Sequence, residues 1–175
     1  MKKQFLIGIL TISVLLLSFT IQQVTSWKIG NNYSVKFIAS EFTGTIKGLK
    51  GTIAFNENDL ANAKFNVSFD ANTVDLGDTE NTGHAKEKER LDAKNYPAIS
   101  FSSSSFSKVS NEFEVKGNLT IKGITKESKF SFTFTKKKKA GIFKGCLYVT
   151  CADYKISEEG IGETIKIDFS IPVNQ

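Results

Sequence analysis

From Tyr33 to the C terminus the chain alternates apolar and polar residues with a period of two, the pattern of strands that bury one face. Tyr33, Val35, Phe37 and Ala39 point one way and Ser34, Lys36 and Ile38 the other. Phe65, Val67, Phe69 and Ala71 repeat the pattern. So do Phe113-Val115-Gly117-Leu119-Ile121 and Phe130-Phe132-Phe134. Phe143-Gly145-Leu147-Val149-Cys151 and Ile165-Ile167-Phe169-Ile171-Val173 follow. The intervening residues are mostly Lys, Thr, Ser, Glu and Asp, so the second face is wet. Clean alternation of this kind predicts antiparallel sheet, because parallel strands are usually buried on both faces. Turn-rich clusters separate the runs at Asn31-Asn32, Asn56 to Asn58, Ser110-Asn111 and Gly160 to Gly162. Gly44, Gly48 and Gly51 lie inside strand-like stretches, where glycine marks a bulge, a bend or close backbone approach. Many short strands with one apolar face predict a closed barrel or a two-sheet sandwich.

Two segments depart from the alternation. Residues 79–95 are charged and helix-favouring, with Ala85, Leu91 and Ala93 as their few apolar members, and Pro97 ends them. They predict one helix that either plugs a barrel end or simply connects two halves. Residues 1–26 have a basic start at Lys2 and Lys3, then an uncharged apolar run from Phe5 to Phe19. Val24 and Ser26 stand at the minus-three and minus-one positions of a cleavage site before Trp27. This is the pattern of a secretory signal peptide, with an apolar run shorter than the roughly 20 residues of a bilayer span. The expected organisation is a signal peptide at 1–26 and one domain at 27–175, in a protein exported to the periplasm or secreted from a bacterium.

Composition narrows the chemistry. The chain has 175 residues, with fifteen Phe but one His and two Cys. A multi-histidine metal site and a four-thiolate zinc site are excluded, and any triad would have to use His84. With no nucleophile suggested beside His84, the chain is not expected to be an enzyme. The formal charge of +5 falls to +3 when Lys2 and Lys3 leave with the leader, a weak basis for nucleic-acid binding. Cys146 and Cys151 are five apart on one predicted strand, so Cys146 should face outward and Cys151 inward, without a bond between them. Lys136, Lys137, Lys138 and Lys139 fall at a predicted hairpin tip. Such a run either keeps a hairpin soluble or makes transient contact with an anionic membrane surface. Asp75, Asp78 and Glu80 lack the spacing of an EF-hand loop. The oligomeric state is left open, a dimer included.

A set of motifs in fixed order carries a family resemblance. It begins with Trp27-Lys-Ile29 and Tyr33-Ser34-Val35-Lys36-Phe37, then Gly44-Thr-Ile46-Lys-Gly48-Leu49-Lys-Gly51-Thr-Ile53-Ala-Phe55. The block from His84-Ala85-Lys86 through Leu91-Asp92-Ala93-Lys94-Asn95-Tyr96-Pro97 to Ile99-Ser-Phe101 is the most diagnostic. Gly117 to Thr125 and the pattern ending in Asp153-Tyr154 complete it. In this order the chain resembles the YceI-like family of exported, lipid-binding barrels over nearly all of 27–175. It departs from the family wording at Tyr33, Cys151 and Thr82-Gly83.

The resemblance implies an all-β, lipocalin-like antiparallel barrel of about eight strands with a short helical insert. It further implies an isoprenoid-type lipid or quinone-like amphiphile held inside for transport, storage or sequestration, and no other cofactor. The residues expected to line an apolar tunnel are Phe37, Phe55, Phe65, Phe69, Phe101, Leu119, Phe132, Leu147, Val149 and Phe169. Tyr33, His84 and Lys86 are the expected polar residues of its mouth. Gly117 and Gly145, which take no volume on the inward face, are the expected source of hollow space. The alternative is a barrel with a solid core, acting as a surface or protein-interaction module.

Overall fold

The computed structural model describes residues 24–175. The leader expected at 1–26 lies outside the described residues except for its last three positions. Strand β1 (Ser26–Ile29) opens the sheet one residue before Trp27. Ser26 is paired with Ala54, and the Thr25 carbonyl accepts a hydrogen bond from the Phe55 N–H at 2.9 Å.

Nine further strands follow. They are β2 (Ser34–Ile38), β3 (Thr43–Thr45), β4 (Lys50–Ala54), β5 (Lys64–Asp70) and β6 (Ala98–Val109), then β7 (Glu112–Ile121), β8 (Ile124–Lys137), β9 (Ala140–Thr150) and β10 (Thr164–Asn174). Every pairing is antiparallel, in the order β1-β4-β5-β6-β7-β8-β9-β10-β2-β3, and β1 also pairs with β10. That last pairing closes the sheet into a barrel.

Ten strands make eight staves. β1 and β2 lie consecutively along β10, at Lys28↔Asn174 and Ser34↔Ser170, with Asn31-Asn32 as the break. β3 and β4 lie in the same way along β2 and β1, at Lys36↔Thr45 and Trp27↔Ile53. Gly51, near the start of β4 and paired with Val67 of β5, has φ +130°, and a Cβ there would stand 2.1 Å from the Asn66 carbonyl oxygen. Only glycine fits that conformation and that approach. The lipocalin-like antiparallel barrel of eight strands is therefore what the chain forms. Closure leaves no long strand edge open for pairing with another chain.

The two ends of the barrel differ. One is filled by aromatic rings. Phe55 is fully buried, and its ring centroid lies 5.1–6.1 Å from those of Phe65, Phe106, Phe113, Phe132, Phe134 and Phe143. Four of those six contacts are edge-to-face, the arrangement that ring quadrupoles favour. The chain is pinned as it turns inward there, since the Phe55 carbonyl accepts the Trp27 indole N–H at 2.9 Å.

The other end carries the insert. Helix α1 spans Thr79–Lys86, capped by Asp78, whose side chain accepts the Asn81 N–H. The helix predicted to run to Asn95 stops at Lys86. Residues 87–96 instead turn back on α1, with N–H groups of Leu91 and Ala93 donating to the carbonyls of Ala85 and Lys86. A continuous helix would have carried charged residues 86–90 outward with no apolar face to bury. Folding back places Leu91 against the core and leaves Ala93 buried.

Candidate functional site

Below the insert the barrel is hollow. A cavity of about 690 Å³ runs from the insert down to the ring cluster. Such a volume lies within the range of pockets that bury most of a small ligand, about 300–1,000 Å³. Its walls come from the inward positions that alternation identified. Phe37 on β2, Phe65 and Phe69 on β5, and Phe101 on β6 line one part. Leu119 on β7, Leu147 and Val149 on β9, and Phe169 on β10 line the rest.

Two expected wall residues lie elsewhere. Phe55 and Phe132 do not line the cavity; both are buried in the closed end, 5.4 Å apart centroid to centroid. Alternation gives the face a residue points to but not its level along the barrel axis, and these two sit below the floor. The glycines also act differently from expectation. A Cβ on Gly117 would stand 2.6 Å from the Phe101 ring, and one on Gly145 would stand 2.8 Å from the Phe169 ring. The volume they give up is taken by those two rings, so the hollow does not come from the glycines.

The mouth is built by three segments stitched together. The N–H groups of Ser40 and Glu41 donate to the carbonyls of Ile161 and Gly160, at 2.9 and 3.2 Å. The Ser157 N–H donates to the Glu89 carbonyl at 2.9 Å. The Arg90 guanidinium reaches across and donates to the carbonyls of Ser157 and Glu159, the second at 2.7 Å. A planar fork of donors suits two carbonyls better than a single ammonium does. Around this rim Glu41, Asn81, His84, Arg90 and Glu159 face the cavity beside Phe42, Leu76 and Ile161.

Of the three polar residues expected here, only His84 lines the cavity; it is exposed, with Nδ1 3.2 Å from Glu87 Oε1. Tyr33 is on the barrel wall, where its hydroxyl accepts the Leu49 N–H at 3.0 Å beside the break in the first stave. Lys86 ends α1, a position where its charge suits the helix dipole, and its side chain does not line the cavity. Arg90, Glu41 and Glu159 were missed. Arg90 had one available signal, as the chain's single arginine among its many lysines.

Other marked groups lie off the site. Lys136–Lys139 form the β8–β9 hairpin at the closed end, with Lys136 Nζ 5.9 Å from the Trp27 ring centroid. This run is at the opposite end from the mouth. Cys151 is buried and its thiol is pushed up by desolvation and by Glu158, against a smaller opposing effect of Arg90. Cys146 is half-buried, and both thiols are free. Cys151 opens a 3₁₀ turn (Cys151–Tyr154) instead of continuing β9. Among the described residues no group of three His, Cys, Asp or Glu side chains is placed to hold a metal ion. No helix among them is long and apolar enough to cross a membrane.

A closed antiparallel barrel, apolar within and stitched around one rim, places the molecule in the class of cavity-bearing β-barrels. Residues 20–173 match the family described as YceI-like domain, and the chain belongs to that family. Protein YceI of Salmonella newport is 33% identical over 96 residues, which are 54% of this chain and 50% of that protein. The Salmonella arizonae protein is 36% identical over 83 residues, 47% and 44% of the two chains. The chain thus spans about half the length of the curated relatives it matches. Among solved structures, BcnA of Burkholderia cenocepacia superposes with a TM-score of 0.76 at 22% identity, covering 80% of this chain and 95% of that one. The YceI protein of Campylobacter jejuni gives 0.61 at 18% identity, covering 100% and 93%. At those identities the structures establish the shared fold.

Proposed function

We propose that this chain is an exported binding protein that holds the apolar tail of an isoprenoid-type lipid or quinone-like amphiphile in its barrel, without catalysis. The cavity of about 690 Å³ carries this reading. The cavity opens at the rim, so an occupant can enter, and its walls of Phe, Ile, Leu and Val offer water few hydrogen-bond partners. An apolar tail suits them. Each buried methylene contributes about 0.8 kcal/mol, so ten give roughly 8 kcal/mol before the costs of association. A polar head would remain among Glu41, His84, Arg90 and Glu159, where groups of both signs border the opening. The hollow interior argues against the alternative of a solid-core interaction module.

The signal-peptide pattern read in residues 1–26 supports the export part of this reading. Organic extraction of protein purified from its native source, followed by mass spectrometry, is the test. The reading predicts an apolar lipid in the extract and thermal protection of stripped protein when polyprenyl lipids are added. A clean extract together with no protection would defeat it.

A further inference from the structure

The cavity lining stops short of the closed end on adjoining strands. On β8 Phe130 lines it and Phe132, two residues on, does not. On β10 the lining runs from Ile165 to Ile171, and Val173 lies below, buried at 1% exposure. Six residue steps along β10 make roughly 20 Å of strand. At a strand tilt of about 35–45° that is an axial depth of about 15 Å. Beneath stands Phe55 with its six ring neighbours, two of which, Phe65 and Phe143, also form the cavity floor.

This floor is not a soft boundary. The Phe55 side chain has no exposed surface, and Phe132, stacked on Phe113 at 5.6 Å, holds it from the side. The backbone of Phe55 is tied at both its N–H and its carbonyl. Pushing the ring aside would require several edge-to-face contacts to break together. A close-packed cluster of this kind resists deformation.

We propose that the Phe55-centred cluster is a length stop: the barrel takes one apolar tail up to a fixed length and leaves any remainder outside the rim. This rests on the tail-binding reading above. Counting a tail carbon as about the size of a water molecule in the liquid, ~30 Å³, the cavity has room for on the order of twenty carbons. Affinity should rise with tail length until the floor is reached, then stop rising.

The test uses full-length mature protein stripped of lipid. Calorimetry would follow its titration with isoprenoid alcohols delivered from cyclodextrin, running from geraniol through farnesol and geranylgeraniol to solanesol. The dissociation constant should fall by roughly fourfold per buried carbon up to geranylgeraniol. It should then stay within about twofold for solanesol. In Phe55→Leu and Phe132→Leu, which remove ring volume from the stop, the plateau should move to a longer alcohol. Continued tightening from geranylgeraniol to solanesol in the wild-type protein would overturn the length stop while leaving tail binding intact. A plateau that stays at the same alcohol in a folded floor variant would also overturn it. Failure of every alcohol to bind would instead defeat the tail-binding reading, and the stop with it. If both variants fail to fold, the wild-type series alone decides.

Discussion

Removing a ring from the floor and removing one from the wall should have very different costs. Phe55→Ala deletes a ring with no exposed surface and six aromatic neighbours. The change loses the transfer energy of the ring and leaves a sealed void, a combination that typically costs about 3–5 kcal/mol. Phe69→Ala deletes a ring that already borders the 690 Å³ cavity. The space it vacates joins an existing cavity instead of creating a closed one, so only part of the transfer energy is lost, about 1–2 kcal/mol. For a domain of this size each kcal/mol lowers the melting temperature by roughly 2–4 °C. The floor variant should therefore melt roughly 6–20 °C lower and the wall variant roughly 2–8 °C lower. The assay is equilibrium urea unfolding, followed by the fluorescence of Trp27, the chain's only tryptophan. The protein must first be stripped of lipid, because a ligand bound only to the native state adds stability by mass action. Equal losses of 3 kcal/mol or more in both variants, at unchanged denaturant slope, would show that the space around Phe69 is packed as tightly as the floor. The description of a hollow barrel would then be wrong.

Three further outcomes follow from the rim, the thiols and the acidic caps. Arg90→Ala should loosen residues 87–91 and 157–161 together, read as faster amide exchange in both segments, at a cost of roughly 1–3 kcal/mol; Arg90→Lys should restore little, since one ammonium cannot serve two carbonyls as a fork does. A thiol reagent should label Cys146 in the native protein and reach Cys151 only on unfolding, because burial holds the Cys151 thiol above its usual range; native labelling of Cys151 by peptide mapping would contradict its placement. Asp70 is held below the usual carboxylate range by hydrogen bonds from Asn72, and Asp78 by hydrogen bonds from Asn81. Their contribution is therefore complete above the unfolded-state value near pH 3.9 and is lost as pH falls below it through the lower native values. Melting curves should accordingly hold steady with respect to these two groups from neutral pH to about pH 5 and weaken below pH 4. Asp78→Ala should remove its share of that acid sensitivity.

Much of the barrel was legible because its strands each bury a single face. Alternation marked the inward residues of β5, β7, β8, β9 and β10, and the turn clusters fell between them. What it could not supply was position along the axis. Phe55 and Phe132 carry the same signal as Phe65 and Phe169, yet the first two lie under the floor and the second two line the cavity. That distinction depends on the stagger of neighbouring staves, a property of pairing between distant segments. The glycines misled for a related reason. Gly117 and Gly145 look like gaps in a wall, but pairing brings the Phe101 and Phe169 rings over them. The rim was the least legible part. Glu41, Arg90 and Glu159 lie on irregular segments, where no period marks a face, and Arg90 finds its carbonyl partners 67 and 69 positions away. Helix propensity in residues 79–95 was real, but past Lys86 it yielded to the burial of Ala93 and to turns around Asp92.

The central claim is that the hollow interior is where the ligand resides. Ile167 faces the cavity midway along β10, paired with Leu147 on one side and Phe37 on the other. Ile167→Trp fills part of the space without altering the rim or the floor. Titration of stripped wild-type and Ile167→Trp protein with geranylgeraniol is the most direct measurement. The account predicts tight binding by the wild type and at least a tenfold loss in the variant, about 1.4 kcal/mol or more, with no fall in melting temperature of the stripped protein. Equal affinity in a folded Ile167→Trp protein would place the ligand outside the barrel and contradict the account.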